Sequence, residues 1–278
     1  MKYLRLLRLQ DHFIIFGGAI SAGNFLRIRN WDIFLWGIAI VSISICAFIL
    51  NELVDSDDCD KYSWNKIHMK RDERYDPLIV KTMFIIFSFL AAYLSYINGL
   101  LFWAAIIYTV SILYSLKPFR LKTRFSLDML SQLFSVTMPV LAIGWKYGLL
   151  EKTIPFAIVL LGIGWSIILP YQLADFHADK KAGFKSTHVI IGMKNSIILG
   201  FVFAMVGMTL FFLWDFQTTI PWAFIFVLLS LYSCFRYFQW YKMENLSRQA
   251  RSMQEYVKIV KPIGYLIVPY LLLIWMLV

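Results

Sequence analysis

Charged residues along this chain collect in short stretches between long apolar runs. A helix crossing the hydrocarbon core needs about 20 mostly apolar residues. Runs that meet or approach this length lie at 11–26, 32–54, 78–96, 98–116, 127–145, 153–174, 195–214, 220–240 and 259–277. They predict an all-α, polytopic transmembrane bundle of about nine helices, the first cut short by Arg27 and Arg29. Pro139, Pro155, Pro170 and Pro269 fall inside runs, which is tolerable where neighbouring helices re-satisfy the freed backbone groups. Linkers are mostly short, so a single domain over 1–278 is expected.

Composition supports lipid as the solvent. The hydrophobic fraction is 60%, against roughly 45–50% in soluble domains, and one core could not hide that much apolar surface from water. A net charge of +10 is compatible with a nucleic-acid partner, but no solvated basic face is formed, so a nucleic-acid partner is not expected. Instead the charge sets orientation. With the N-terminus cytoplasmic, 22 of the 27 Lys and Arg fall in inside segments and only Arg27, Arg29, Lys146 and Lys152 fall outside. That bias obeys the positive-inside rule and places the long loops 51–77 and 175–194 on the cytoplasmic face. No cleavable signal peptide is read in the basic stretch Met1–Gln10, and the scattered cysteines Cys46, Cys59 and Cys234 form no disulfide or zinc pattern.

Both long loops begin with acids that extend an apolar helix. The second run ends in Asn51-Glu52-Leu53-Val54-Asp55-Ser56-Asp57-Asp58-Cys59-Asp60. On a continuing helix Asn51 and Asp55 share a face at i,i+4, and Asp58 joins them at i+7. Like charges crowded at a membrane boundary repel, and a divalent cation removes that penalty; hard oxygen donors suit Mg²⁺. The sixth run ends in Tyr171-Gln172-Leu173-Ala174-Asp175-Phe176-His177-Ala178-Asp179, a second i,i+4 acid pair, followed by Gly183-Phe184-Lys185-Ser186-Thr187. Either cluster alone is also explained as solvated loop charge. Two matched clusters on one face favour a shared site holding Mg²⁺ with a diphosphate between them.

A third inside loop, Tyr114-Ser115-Leu116-Lys117-Pro118-Phe119-Arg120-Leu121-Lys122, supplies countercharge for such an anion. Positive-inside anchoring is the plainer account of its lysines and arginines. His12, His68, His177 and His188 have no metal-ligand spacing. The Met and Phe residues of the runs serve packing, and equally suit an apolar chamber for a long prenyl tail.

Taken together, these segments resemble the UbiA superfamily of intramembrane prenyltransferases, whose members carry N-D-x-x-D-x-x-x-D after the second of nine helices and D-x-x-x-D after the sixth. Asp175, Asp179, Gly183, Lys185, Ser186 and Thr187 match the second motif and its trailing G-x-K-S-T. Tyr114, Ser115, Pro118, Arg120, Leu121 and Lys122 match the Y-S-x-x-P-x-R-L-K loop. The first motif departs: Asn51 and Asp55 match, Glu52 replaces an Asp, and Cys59 stands where the last Asp is expected, with Asp58 or Asp60 as the substitute. Asp76-Pro77-Leu78 replaces the customary Arg-Pro-Leu, and the stretch Lys70–Tyr75 is similar to carotenoid-elongating members such as lycopene elongases.

The resemblance implies Mg²⁺-dependent transfer of an allylic prenyl group from its diphosphate to a lipophilic acceptor, such as an aromatic compound, a quinone precursor or a carotenoid. Asn51, Asp55, Asp58, Asp175 and Asp179 would form the metal site, and Lys117, Arg120, Lys122 and Lys185 would bind diphosphate. Tyr114 and Tyr171 would steady a carbocation or orient the acceptor. One rival is a UbiA-type terpene cyclase, in which the substrate's own double bonds capture the cation. A non-enzymatic rival, a cation transporter, is disfavoured because transporters hold their binding groups near the bilayer midplane, whereas these acids sit at helix ends.

Overall fold

The computed structural model of the chain describes residues 9–55, 76–213 and 220–245, together with 249, 251–253, 255–256 and 259. Among these residues the chain is all-helical. The long helices are α1 (Leu9–Phe25), α2 (Trp31–Asp55), α3 (Pro77–Ile97), α4 (Leu101–Ser115), α5 (Leu127–Lys146) and α6 (Leu150–Ala174). Two short helices follow, α7 (Phe176–Lys181) and α8 (Thr187–Ile191), and then the long α9 (Met193–Leu213) and α10 (Ile220–Lys242). The eight long helices coincide with the first eight predicted spans. The ninth, 259–277, lies outside the described residues apart from Ile259. By length and composition Trp31–Asn51, Pro77–Ile97, Leu127–Lys146, Leu150–Ala174 and Met193–Leu213 are able to cross a membrane, and α4 is a shorter apolar helix.

Local chemistry explains where helices start and turn. Asp76, in place of a basic residue, caps α3: its Oδ1 accepts from the Leu78 N–H at 2.8 Å, and Pro77 occupies the first helical position where no N–H is needed. Two tight hairpins, α3–α4 and α5–α6, each turn on a glycine in the left-handed region, Gly99 at φ +68° and Gly148 at φ +66°. Each closes the preceding helix with paired bonds: Leu100 N–H to Ser95 O (2.8 Å) with Gly99 N–H to Tyr96 O, and Leu149 N–H to Gly144 O (2.7 Å) with Gly148 N–H to Trp145 O.

In the bundle α2 packs on α1, α3 and α4, while α5 packs on α1, α4 and α6; α6 in turn packs on α9 and α10. The α6–α9 crossing is close because Gly162 faces Gly207: a Cβ at Gly162 would lie 2.6 Å from the Gly207 Cα. Small residues allow such approach in lipid, where packing rather than water exclusion joins helices. Pro170 deprives the Ser166 carbonyl of its helical donor. The buried Tyr237 hydroxyl of α10 donates to that carbonyl at 2.6 Å instead. The buried Trp36 indole likewise donates to the Pro139 carbonyl at 2.9 Å, joining α2 to α5. Phe89, Phe102 and Leu213 are each at least 70% exposed, a surface that suits hydrocarbon contact.

Helix alternation sorts the polar contacts onto two ends of the bundle. At one end the start of α2, the α3–α4 turn and the end of α5 meet: Lys146 Nζ lies 2.7 Å from Asp32 Oδ2 and 3.2 Å from Asn98 Oδ1. At the other end the close of α2 and α4, the start of α5 and the segment after α6 meet. All the predicted site residues that fall within the described chain lie at this second end.

Candidate functional site

α2 remains helical through Asp55, so Asn51 and Asp55 keep the predicted i,i+4 spacing. Beyond the backbone, the side chains of Glu52 and Asp55 and the whole of Asp58, Cys59 and Asp60 lie outside the described residues. Asn51 does not face solvent alone. Its Oδ1 accepts from Ser115 Oγ at 2.9 Å and from Lys122 Nζ at 2.8 Å. The first acidic motif is therefore tied directly to the basic loop.

That loop folds back on itself between α4 and α5. The Arg120 N–H donates to Leu116 O at 2.7 Å, and Arg124 Nη2 donates to Pro118 O at 2.8 Å across the cis Lys117–Pro118 bond. Arg120 is buried, and its backbone lies in the left-handed region at φ +39°, ψ +61°, which disfavours residues other than Gly and Asn. Its guanidinium carbon sits 4.8 Å from the centre of the Phe184 ring, within cation–π range. Lys117 is exposed and Lys122 half-buried. The half-buried Tyr114 hydroxyl accepts from Gln132 Nε2 at 2.7 Å.

The second motif begins at a break in the helix. α6 ends at Ala174; Asp175 is its C-cap, with N–H contacts to Gln172 O and Leu173 O, and α7 restarts at Phe176. The Asp179 N–H still donates to Asp175 O at 3.0 Å, so the two acids stay one turn apart despite the break. Gly183, at φ +76°, then reverses the chain, and the Phe184 N–H returns to Asp179 O at 3.0 Å. Tyr171 is half-buried one turn before Asp175.

Four hydrogen bonds lock this segment onto the basic loop and the first turn of α5. The Lys185 N–H donates to Thr123 O at 3.0 Å, and the Ser126 N–H donates to Thr187 Oγ1 at 2.9 Å. Thr187 in turn donates twice to the Asp128 carboxylate, from its N–H at 2.9 Å and from its hydroxyl. Lys185 itself is exposed. Hydrogen bonds thus tie Asn51 and the Lys185–Thr187 segment to one loop that carries Arg120 and Lys122, with Asp175 and Asp179 in the stretch that leads into that segment. Among the described residues no three His, Cys, Asp or Glu stand close enough to hold a metal ion. The donors present, carboxylates and an amide oxygen, are hard ligands of the kind Mg²⁺ takes.

Two residues of this cluster, Asp128 and His188, belong to no motif. Asp128 is an acid in the first turn of an apolar span, and an ionisable group there is a signal of function or pairing. His188 has no such mark, because its partners Asp128 and Asp179 lie in other elements.

A UbiA homolog from Archaeoglobus fulgidus, bound to DMAPP and Mg²⁺, superposes with a TM-score of 0.69 at 16% identity, covering 97% of this chain and 99% of that one. The same homolog bound to GPP and Mg²⁺ gives 0.69 at 16% identity, with 97% and 100% covered. An apo UbiA homolog from Aeropyrum pernix K1 gives 0.67 at 14% identity, with 97% and 99% covered. At these identities the likeness establishes the fold. No curated protein matches the chain. The sequence match is with the UbiA prenyltransferase family and runs over residues 12–260, nearly the whole chain, so the protein belongs to that family.

Proposed function

We propose that this protein is a Mg²⁺-dependent intramembrane enzyme that transfers an allylic prenyl group from its diphosphate to a lipophilic acceptor. The observation that carries the reading is the common attachment of both acid-bearing segments to one basic loop, through Asn51–Lys122 and through Lys185–Thr123. A diphosphate needs both kinds of group at once: acids to hold the metal, and cations to meet the oxygens that the metal leaves. The homologs solved with DMAPP or GPP and Mg²⁺ share this fold, which supports a prenyl diphosphate as substrate.

In this reading Asn51, Asp55, Asp58, Asp175 and Asp179 would hold Mg²⁺, which when bound neutralises charge on the diphosphate. Lys117, Arg120, Lys122 and Lys185 bind and orient the diphosphate oxygens. The allylic C–O bond breaks with its electron pair leaving on the diphosphate, and the acceptor's π electrons or heteroatom close on the allylic carbon, losing a proton. Electrostatic neutralisation of the leaving group is the largest service these residues render. Tyr114 and Tyr171 would line the path of the cation. We place the site on the cytoplasmic face, from the charge bias of the loops, within a single domain over 1–278.

The test uses purified full-length protein in lipid nanodiscs supplied with a panel of prenyl diphosphates and acceptors. Asp55→Ala and Asp175→Ala are each expected to abolish Mg²⁺-dependent diphosphate release while the protein stays folded; full turnover by either rejects the site. Product formed without any acceptor would reassign the protein as a cyclase.

A further inference from the structure

The second motif holds a contact that its sequence pattern does not contain. His188, only 4% exposed, presents Nε2 to Asp179 Oδ2 at 2.9 Å. A carboxylate accepts, so Nε2 carries the proton, and the Ser186 hydroxyl lies 3.3 Å from the same nitrogen. The opposite ring nitrogen, Nδ1, faces the buried Asp128, 3.9 Å from its Oδ2. Asp128 fixes the backbone here as well, since the Thr187 N–H, one residue before His188, bonds to it. Nδ1 itself makes no hydrogen bond, so the ring is placed through the anchored backbone of Thr187 while Nε2 engages one oxygen of Asp179.

Resting on the metal-site reading above, we propose that His188 is a positioning residue: it pins Asp179 Oδ2, fixes the rotamer of that carboxylate and leaves Oδ1 to bind the divalent cation. Three features single this contact out. Asp179 follows a helix break at Asp175, so its position is not set by a continuous helix. Its side chain is 18% exposed, enough to reach a ligand, while His188 and Asp128 are sealed at 4% and 1%. The three groups come from three different elements, α7, α8 and α5, so the arrangement holds the carboxylate in place relative to the bundle. Partners of this kind behind a metal ligand typically contribute 10–100-fold in metal affinity.

The experiment is an EPR titration of full-length protein in detergent with Mn²⁺ as the probe, in the presence of inorganic diphosphate. His188→Leu is expected to weaken Mn²⁺ binding on the order of 10–100-fold. His188→Gln, whose amide nitrogen reaches the place of Nε2, is expected to restore most of that affinity, and His188→Asn, one bond shorter, is not. Equal Mn²⁺ affinity in the Gln and Asn variants would overturn the proposal even where the Leu variant fails to fold. So would a Leu variant that loses turnover with Mn²⁺ affinity unchanged, because that marks a role in packing alone. Asp179→Ala serves as the reference: if it binds Mn²⁺ like the unsubstituted protein, the metal site itself is wrongly placed and the role of His188 falls with it. If Asp179→Ala loses Mn²⁺ and His188→Leu does not, only the positioning role fails.

Discussion

Replacing Asp128 by Ala removes the carboxylate that joins α5 to the start of α8. The carboxylate is 1% exposed and takes two bonds from Thr187, one from the backbone N–H and one from the hydroxyl. Hydrogen bonds to a charged partner are worth about 1.5–3 kcal/mol each, and a donor left buried without a partner costs about 1–3 kcal/mol. The two bonds share one residue pair and do not add fully, so the loss for Asp128→Ala is about 3–4 kcal/mol. At roughly 2–4 °C per kcal/mol for a chain of this size class, the melting temperature falls by roughly 6–16 °C. The assay is thermal unfolding in detergent, followed by tryptophan fluorescence at fixed protein and detergent concentration. Thr187→Val keeps the N–H bond but loses the hydroxyl's bond to Asp128 and leaves the Ser126 N–H without its acceptor, so it is expected to cost about 2–4 kcal/mol, comparable to Asp128→Ala. The double variant Asp128→Ala/Thr187→Val is expected to fall short of the sum of the single effects, with a coupling on the order of 0.5–3 kcal/mol. An Asp128→Ala protein that melts with the unsubstituted one, or strict additivity in the double variant, refutes this account of the junction.

Three further outcomes follow from the geometry. Gly162→Ala places a Cβ 2.6 Å from the Gly207 Cα. Backbone cannot step aside as a side-chain tip can, so a loss of about 1–3 kcal/mol is expected, read as a lower melting temperature; an unchanged value would show that α6 and α9 separate freely. Lys146→Met breaks the ion pair with Asp32, whose side chain is 34% exposed, at the end of the bundle away from the site. The partly exposed ion pair is worth no more than about 1 kcal/mol, but the buried Asn98 Oδ1 also loses its donor, so a loss of about 1–3 kcal/mol is expected with turnover unchanged, and a large loss of activity would connect the two ends. Lys122→Met takes a cation from the diphosphate face and a donor from Asn51. Steady-state kinetics are expected to show kcat/KM for the prenyl diphosphate reduced roughly tenfold or more, with an unchanged value removing Lys122 from the site.

Much of the architecture could be read from hydropathy, because lipid requires each span to be long, apolar and internally hydrogen-bonded. The eight long helices from α1 to α10 begin and end within a few residues of the predicted runs. The neighbourhood of Asn51, Arg120 and Lys185 was likewise expected from motif spacing and loop sidedness. What hydropathy could not convey is pairing across distance. Thr187 meets Asp128 from 59 positions away, and nothing in either local sequence names the other. Gly162 and Gly207 look like any of the 14 glycines until two helices cross. The break at Asp175 was also hidden, since Asp175 and Asp179 show the same i,i+4 spacing whether the helix is continuous or restarts. His188 illustrates the general case: a lone histidine acquires meaning only from the acids that two other elements bring to it.

Arg120 exposes a conflict between durability and chemistry. Its peptide geometry suits glycine or asparagine, yet it carries a sealed guanidinium over Phe184. A selection that rewarded heat resistance alone would drift toward residues relaxing that backbone, a gain on the order of 1 kcal/mol. Each such drift would discard the cation. Mutational tolerance at this position should therefore split, with survivors of a thermal screen and survivors of a turnover screen forming different sets.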